Sequence, residues 1–230
     1  HDSSNSFIKD TGTGDLYIDA ATNFFVRNAG NNEVWIKGTD AGVSLRYQDS
    51  QRLITTATGI SVTGATGTTE GGGIDATDAV NITVGTINGE IITTINVDIG
   101  VGGILSSSTA GDVIGNDGVA SAYITRLTTA INGIVYRGEM ICVEVPTTGD
   151  PDINLAASSE SGIAEDAAGE GQHVLINGGV ATLAVKNDIA IPSGGIQDDF
   201  IYLTHGGTTA GTYDAGKFLI RFYGAKVTGL

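Results

Sequence analysis

The chain has 230 residues, among them 35 glycines, 11 basic and 26 acidic side chains, 3 prolines and 1 cysteine. Its formal charge of -15 argues against binding nucleic acid through phosphates, which needs a basic face, and against docking on anionic lipid. Glycine without a three-residue period excludes collagen, one cysteine excludes an internal disulfide framework, and 40% hydrophobic residues with a mean hydropathy of +0.12 argue against disorder.

The chain opens His1-Asp-Ser-Ser4, without an initiator methionine, a basic segment or an apolar segment. It therefore reads as the interior of a longer polypeptide with no secretory signal in view. Residues 1–64 then follow one rhythm. Short β-type runs are predicted at 6–9, 15–19, 23–27, 33–37, 43–47, 52–56 and 59–63, separated by Gly, Asn, Asp and Thr turn residues. One face of these strands carries Leu16, Ile18, Phe24, Val26, Val34, Ile36, Val43 and Leu45. The other carries Tyr17, Phe25 and Trp35 among polar groups, which is too aromatic for a solvated face and predicts cover by a neighbouring chain.

Residues 65–118 change character. The stretch from Thr63 to Gly73 is the best linker candidate, and strands are predicted at 80–84 and 90–99. No Lys or Arg occurs between Leu53 and Thr125, while seven acids fall within 65–118. No segment reaches the roughly 18 uninterrupted apolar residues of a membrane helix, so no membrane insertion is expected.

Residues 119–132 carry the strongest helical signal. Val119, Ala122, Tyr123, Leu127, Ala130 and Ile131 lie on one face of a 3.6-residue period, with Asn116 or Asp117 before it and Gly133 after it as caps. Strands return at 134–136 into 139–145, 153–156, 173–176, 181–185, 200–204 and 217–223, with an acidic loop over 158–171. The expected fold is mainly β. An N-terminal repeat-type module (1–64) leads through a linker with connecting strands (65–118) to a β-sandwich or jelly-roll-like C-terminal domain (119–230) with one short helix near 119–132.

No motif assigns a catalytic, cofactor-binding or metal residue. Gly211-Thr-Tyr-Asp-Ala-Gly-Lys217 matches the start of a phosphate-binding loop, but Phe218 stands where a magnesium-binding Ser or Thr is required, and the chain continues as a strand; a turn is expected. Gly12-Thr-Gly-Asp15 lacks the calcium β-roll register, and Asp112-Val-Ile-Gly-Asn-Asp-Gly118 has Ile114 where an oxygen ligand is needed. His1, His173 and His205 form no zinc spacing, and no G-x-S-x-G elbow selects a serine for a triad. Cys142, inside an alternating strand pattern, reads as a small buried hydrophobe.

Several long runs resemble structural proteins of marine bacteriophages, especially cyanophages. The run from His1 to Ile18, then Val26-Arg-Asn-Ala-Gly-Asn-Asn-Glu33, then Leu53-Ile-Thr-Thr-Ala-Thr-Gly-Ile-Ser-Val-Thr-Gly64, stand in the order of that family's fibre-type repeat. Asp112-Val-Ile-Gly115, Leu127-Thr-Thr-Ala-Ile-Asn-Gly133, Glu139-Met-Ile-Cys-Val-Glu-Val-Pro146 and Thr212-Tyr-Asp-Ala-Gly-Lys-Phe-Leu-Ile220 resemble the domain that ends some of these chains. The resemblance implies a non-enzymatic virion structural protein on the particle surface, assembled in the host cytoplasm and contacting other virion proteins. A homotrimeric tail fibre or appendage is expected, because phage fibres commonly intertwine three chains. The alternatives are a capsid decoration protein, which differs in location, and a host-receptor module that binds cell-surface glycan through Tyr202, Tyr213 and Tyr223.

Overall fold

The computed structural model describes residues 20, 22–28, 33–39, 42–47, 50–56, 59–62, 70–74, 79–87, 89–168, 173–177 and 182–226. They belong to two compact units, residues 1–63 and 64–230. The strands expected at 6–9 and 15–19, with Leu16, Tyr17 and Ile18, lie outside the described residues, as do His1, Gly12–Asp15 and the linker up to residue 69.

The first unit is an antiparallel meander of β1 (Asn23–Arg27), β2 (Val34–Thr39), β3 (Gly42–Tyr47), β4 (Ser50–Thr56) and β5 (Gly59–Val62), paired in sequence order. The register sets Val26 against Ile36, Ile36 against Leu45 and Leu45 against Leu53, so these apolar residues share one face. Phe25 stands opposite Lys37 on the other face. A period of two therefore sorts the faces as the sequence pattern implied.

The second unit begins with β6 (Val80–Ile87), β7 (Glu90–Asp98), β8 (Ile104–Ser106), β9 (Gly115–Asn116), β10 (Thr125–Arg126) and the single helical turn α1 (Thr129–Asn132). It continues with β11 (Ile134–Thr147), β12 (Ile153–Ser158), β13 (His173–Ile176), β14 (Lys186–Ile189), β15 (Phe200–His205), β16 (Gly211–Thr212) and β17 (Ala215–Ala225). One sheet runs β14-β11-β17-β7-β6, a second β10-β15-β12-β13, and a small third β16-β8-β9. Ile95, Met140, Phe218, Ile220 and Phe222 of the first sheet join Ile153, Leu155, Ile201 and Leu203 of the second in one buried cluster. The unit is thus a β-sandwich, with the chain switching between these two sheets from β10 to β11, β11 to β12, β13 to β14, β14 to β15, and β15 to β17.

The described residues between 70 and 118 are part of this unit. Strand β7 lies inside the five-stranded sheet, paired along its length with β17 on one side and β6 on the other. Gly71 and Gly73 are buried, and their N–H groups donate to the carbonyls of Tyr123 (2.8 Å) and Ser121 (3.0 Å).

Two expectations are corrected. The helix predicted over 119–132 exists only as α1. Residues 124–127 instead run beside β15 and Asp199 just before it: the N–H of Ile124 donates to Ile201 O (2.7 Å) and that of Leu127 to Asp199 O (2.9 Å), while Ser121 and Tyr123 accept from Gly73 and Gly71 and Ala122 donates to Ile163 O (2.9 Å). Ile124, Thr125, Thr128 and Thr129 are β-branched, so helix propensity is weak and pairing with a neighbouring strand overrides it. The strand expected over 181–185 is likewise displaced to Lys186–Ile189, because Ala184 adopts φ 62°, which breaks an extended run.

One buried polar contact locks α1 onto the sandwich. The Asn132 amide donates to Thr93 Oγ1 (2.8 Å), and its Oδ1 accepts from the Thr128 N–H (2.7 Å). This approach requires Gly224 in β17, where a Cβ would sit 1.8 Å from Asn132 O. The core should respond as a close-packed one. Phe222, 1% exposed, is expected to cost about 3–5 kcal/mol when changed to Ala, read as a lowered urea midpoint for the second unit.

Candidate functional site

The residues singled out by sequence are dispersed. Cys142 is fully buried in β11, where burial pushes its thiol up and its Sγ donates to Glu144 O (3.3 Å). Gly211 to Lys217 forms the turn from β16 into β17, and Lys217 lies within the strand. Its ammonium reaches Asp98 Oδ2 (3.4 Å) and Glu144 Oε2 (3.3 Å).

Of the three tyrosines that a glycan-binding alternative would need at the surface, two are core residues. Tyr202 is fully buried; its hydroxyl donates to Glu160 O and burial pushes its pKa up to about 12. Tyr213 is 2% exposed, donates to Asp150 O (2.9 Å) and is also raised by burial. Tyr213 joins the central cluster, whereas Tyr202 faces away from Ile201 and Leu203 and packs with Val113, Ala122 and Ile163 on the other side of β15. Tyr223 alone lies on the outer face of the five-stranded sheet. The Arg137 guanidinium stacks 3.8 Å from its ring centroid, and its hydroxyl donates to Glu139 Oε1 (3.0 Å).

One Ser, Asp and His do come together, although no spacing in the chain selects them. Ser107 Oγ donates to Asp112 Oδ2 (2.6 Å), and the Ser107 N–H donates to His205 Nε2 (3.3 Å), which lies 3.2 Å from Ser107 Oγ. All three residues are buried. A nucleophilic triad needs the acid on the histidine and the serine proton directed at the imidazole. Here the acid accepts the serine hydroxyl's hydrogen bond, the imidazole accepts from backbone, and His205 Nδ1 has no partner among the described residues. The arrangement ties the loop after β8 to the end of β15.

Next to it, Asp150 does the same for a second loop. Its Oδ2 accepts from the Thr209 N–H (2.9 Å) and its Oδ1 from the Asp152 N–H (2.9 Å), while its own N–H donates to Ser106 Oγ (3.0 Å). Ser106 Oγ in turn donates to Thr209 O (2.8 Å). A polar ring buried this way satisfies backbone groups that would otherwise be stranded away from water.

The outer face of the five-stranded sheet carries a ladder of paired charges. Arg221 Nη1 meets Glu139 Oε1 at 3.1 Å, Arg137 lies 4.0 Å from Glu90 Oε1, and the Tyr136 hydroxyl also donates to Glu90. Beside the Lys217 pairs a groove of about 250 Å³ is lined by Asn81, Asn96, Val97, Val143 and Phe218 among others.

The first unit has a different character. Phe24 (39%), Val43 (46%) and Leu45 (44%) are exposed on one face of the meander, and Phe25 (45%) and Trp35 (48%) on the other. Lys37 Nζ lies 5.8 Å from the Phe25 ring centroid. A solvated antiparallel sheet normally keeps one polar face, so apolar exposure on both sides marks a surface that awaits cover. No protein-family model, curated protein or solved structure matches the chain.

The charge ladder gives a pH prediction. Burial pushes the Glu139 carboxyl up, but the hydrogen bonds from Arg221 and Tyr223 and the charges of Arg221 and Lys186 outweigh it and hold the carboxyl below its ordinary value. A carboxyl depressed by folding contributes stability above its unfolded pKa and loses it as the pH falls through the folded value. Urea midpoints measured from about pH 6 down to about pH 3 should therefore fall less for Glu139→Gln than for the unaltered chain.

Proposed function

We propose that the chain is a non-enzymatic structural protein of a bacteriophage particle, working as a homotrimeric fibre or appendage. The observation that carries this reading is the meander β1 to β5, which exposes Phe24, Val43 and Leu45 on one face and Phe25 and Trp35 on the other. Covering a half-exposed aromatic removes on the order of 100 Å² from water, about 2–3 kcal/mol each at 25 cal/mol per Å². Other copies wrapped around the module supply such cover on both faces and protect its edges.

The resemblance to marine-phage fibre repeats supports the same conclusion, since it runs through these strands. The second unit then acts as the globular body that the fibre presents to other virion proteins. Its work is mechanical: a buried core and satisfied loops resist unfolding, and contacts between chains add stability in proportion to the area they cover.

Light scattering coupled to size exclusion is expected to give the mass of three 23.4 kDa chains, or a multiple of it, at micromolar concentration. Phe25→Ala with Trp35→Ala should lower that mass while the second unit keeps its melting temperature. A stable monomer of the unaltered chain would rule the trimer out.

A further inference from the structure

Strand β6 closes the five-stranded sheet on one side, and among the described residues no strand pairs with its outer edge. It is eight residues long and reads Val-Asn-Ile-Thr-Val-Gly-Thr-Ile, with no charge and no proline. Natural edge strands are usually shortened, charged, bulged or covered, because a row of free N–H and C=O groups is a template for another strand. None of the first three devices is present here.

The side chains point to the same edge. Val80, Ile82 and Val84 stand opposite Val97, Ile95 and Thr93 of β7, on the face that packs into the sandwich. Their β7 partners are buried, but Val80, Ile82 and Val84 are only half-buried. Val80 and Ile82 pack against the central cluster and stop at its rim. One more strand would complete their burial.

We propose that this edge pairs with β6 of a second copy, antiparallel about a twofold axis normal to the sheet. Three observations select a second copy as the occupant. The strand is self-complementary: a register centred on Ile82 sets Val80 against Val84, Ile82 against Ile82 and Asn81 against Thr83, so apolar meets apolar and polar meets polar. The charge also fits. Two chains of -15 each repel over most of their surfaces, whereas β6 is neutral. The acids of β7 nearest its two ends are already paired, Asp98 with Lys217 and Glu90 with Arg137 and Tyr136. Finally, the pairing extends an existing core and needs no separate apolar patch.

The twofold contact does not depend on the trimer: it doubles whatever mass the N-terminal module produces.

Asn81 and Thr83 are exposed, so charging them leaves the core intact. Asn81→Lys with Thr83→Lys places like charges opposite one another across the twofold; Asn81→Glu with Thr83→Glu does the same with the other sign. The unaltered full chain is expected to show twice the light-scattering mass of either double variant. An equimolar mixture of the Lys and Glu variants should regain the doubled mass. Equal masses for the unaltered chain and both variants overturn the pairing, whether or not the common mass is that of a trimer. Hydrogen exchange on the unaltered chain gives a reading free of substitutions. Amides of β6 should lose protection on dilution, and unchanged protection across a hundredfold dilution also overturns it.

Discussion

Everything in the second unit depends on the pairing of β17 between β11 and β7. These are the longest strands of the sheet, 14 residues in β11, 11 in β17 and 9 in β7. Their pairing is continuous except for bulges in β11. Because side chains alternate across a strand, Phe218, Ile220 and Phe222 all fall on the inner face beside Met140, Cys142 and Ile95. The same alternation sends Lys217, Arg221 and Tyr223 outward. Thus one register decides both the core and the charge ladder, and a slip of one residue would exchange them.

The ladder explains how so acidic a chain tolerates its own charge. Every Lys or Arg described in the second unit from Arg126 to Arg221 reaches a carboxylate: Arg126 meets Asp198, Arg137 meets Glu90, Lys186 meets Asp188, Lys217 meets Asp98 and Glu144, and Arg221 meets Glu139. Most of these pairs are solvent-exposed and individually worth little. Their effect is local, quenching carboxylates along one sheet face. Elsewhere the acids crowd. Glu165 is raised, first by burial and then by its neighbours Asp166 and Asp117. The acidic loop that sequence inspection picked out is therefore a place where charge repels charge.

The two units meet the problem of exposed apolar surface differently. The sandwich covers its inner faces with itself and, among the described residues, leaves the uncharged outer edge of β6 without a strand neighbour. The meander has no second layer among the described residues and leaves both faces open. A single sheet cannot hide two apolar faces by itself, and this is the property that the proposed association of copies addresses.

Length, glycine spacing and period-two alternation were enough to place β1 to β5 to within a residue or two, and β6, β7, β11, β12, β13, β15 and β17 nearly as well, because exposed turns and alternating strands are written locally. Cys142 was legible as a buried residue for the same reason. Other features needed the folded chain. The segment 119–128 has helical spacing, but hydrogen-bonding partners at Gly71, Gly73, Ile163 and β15 were available, and only tertiary contact supplies such partners. Tyr202 and Tyr213 carry no local mark that separates a core aromatic from a ligand-facing one; the register of β15 with β12 and the position of Asp150 decided it. Ser107, Asp112 and His205 are up to 98 residues apart in the chain, so no spacing rule could join them. Sequence alone determined which residues alternate and where the chain turns. Which side each strand buries, and which edge is left without a neighbour, was decided by how strands distant in sequence pair, since burial belongs to the assembled sheets and not to any one strand.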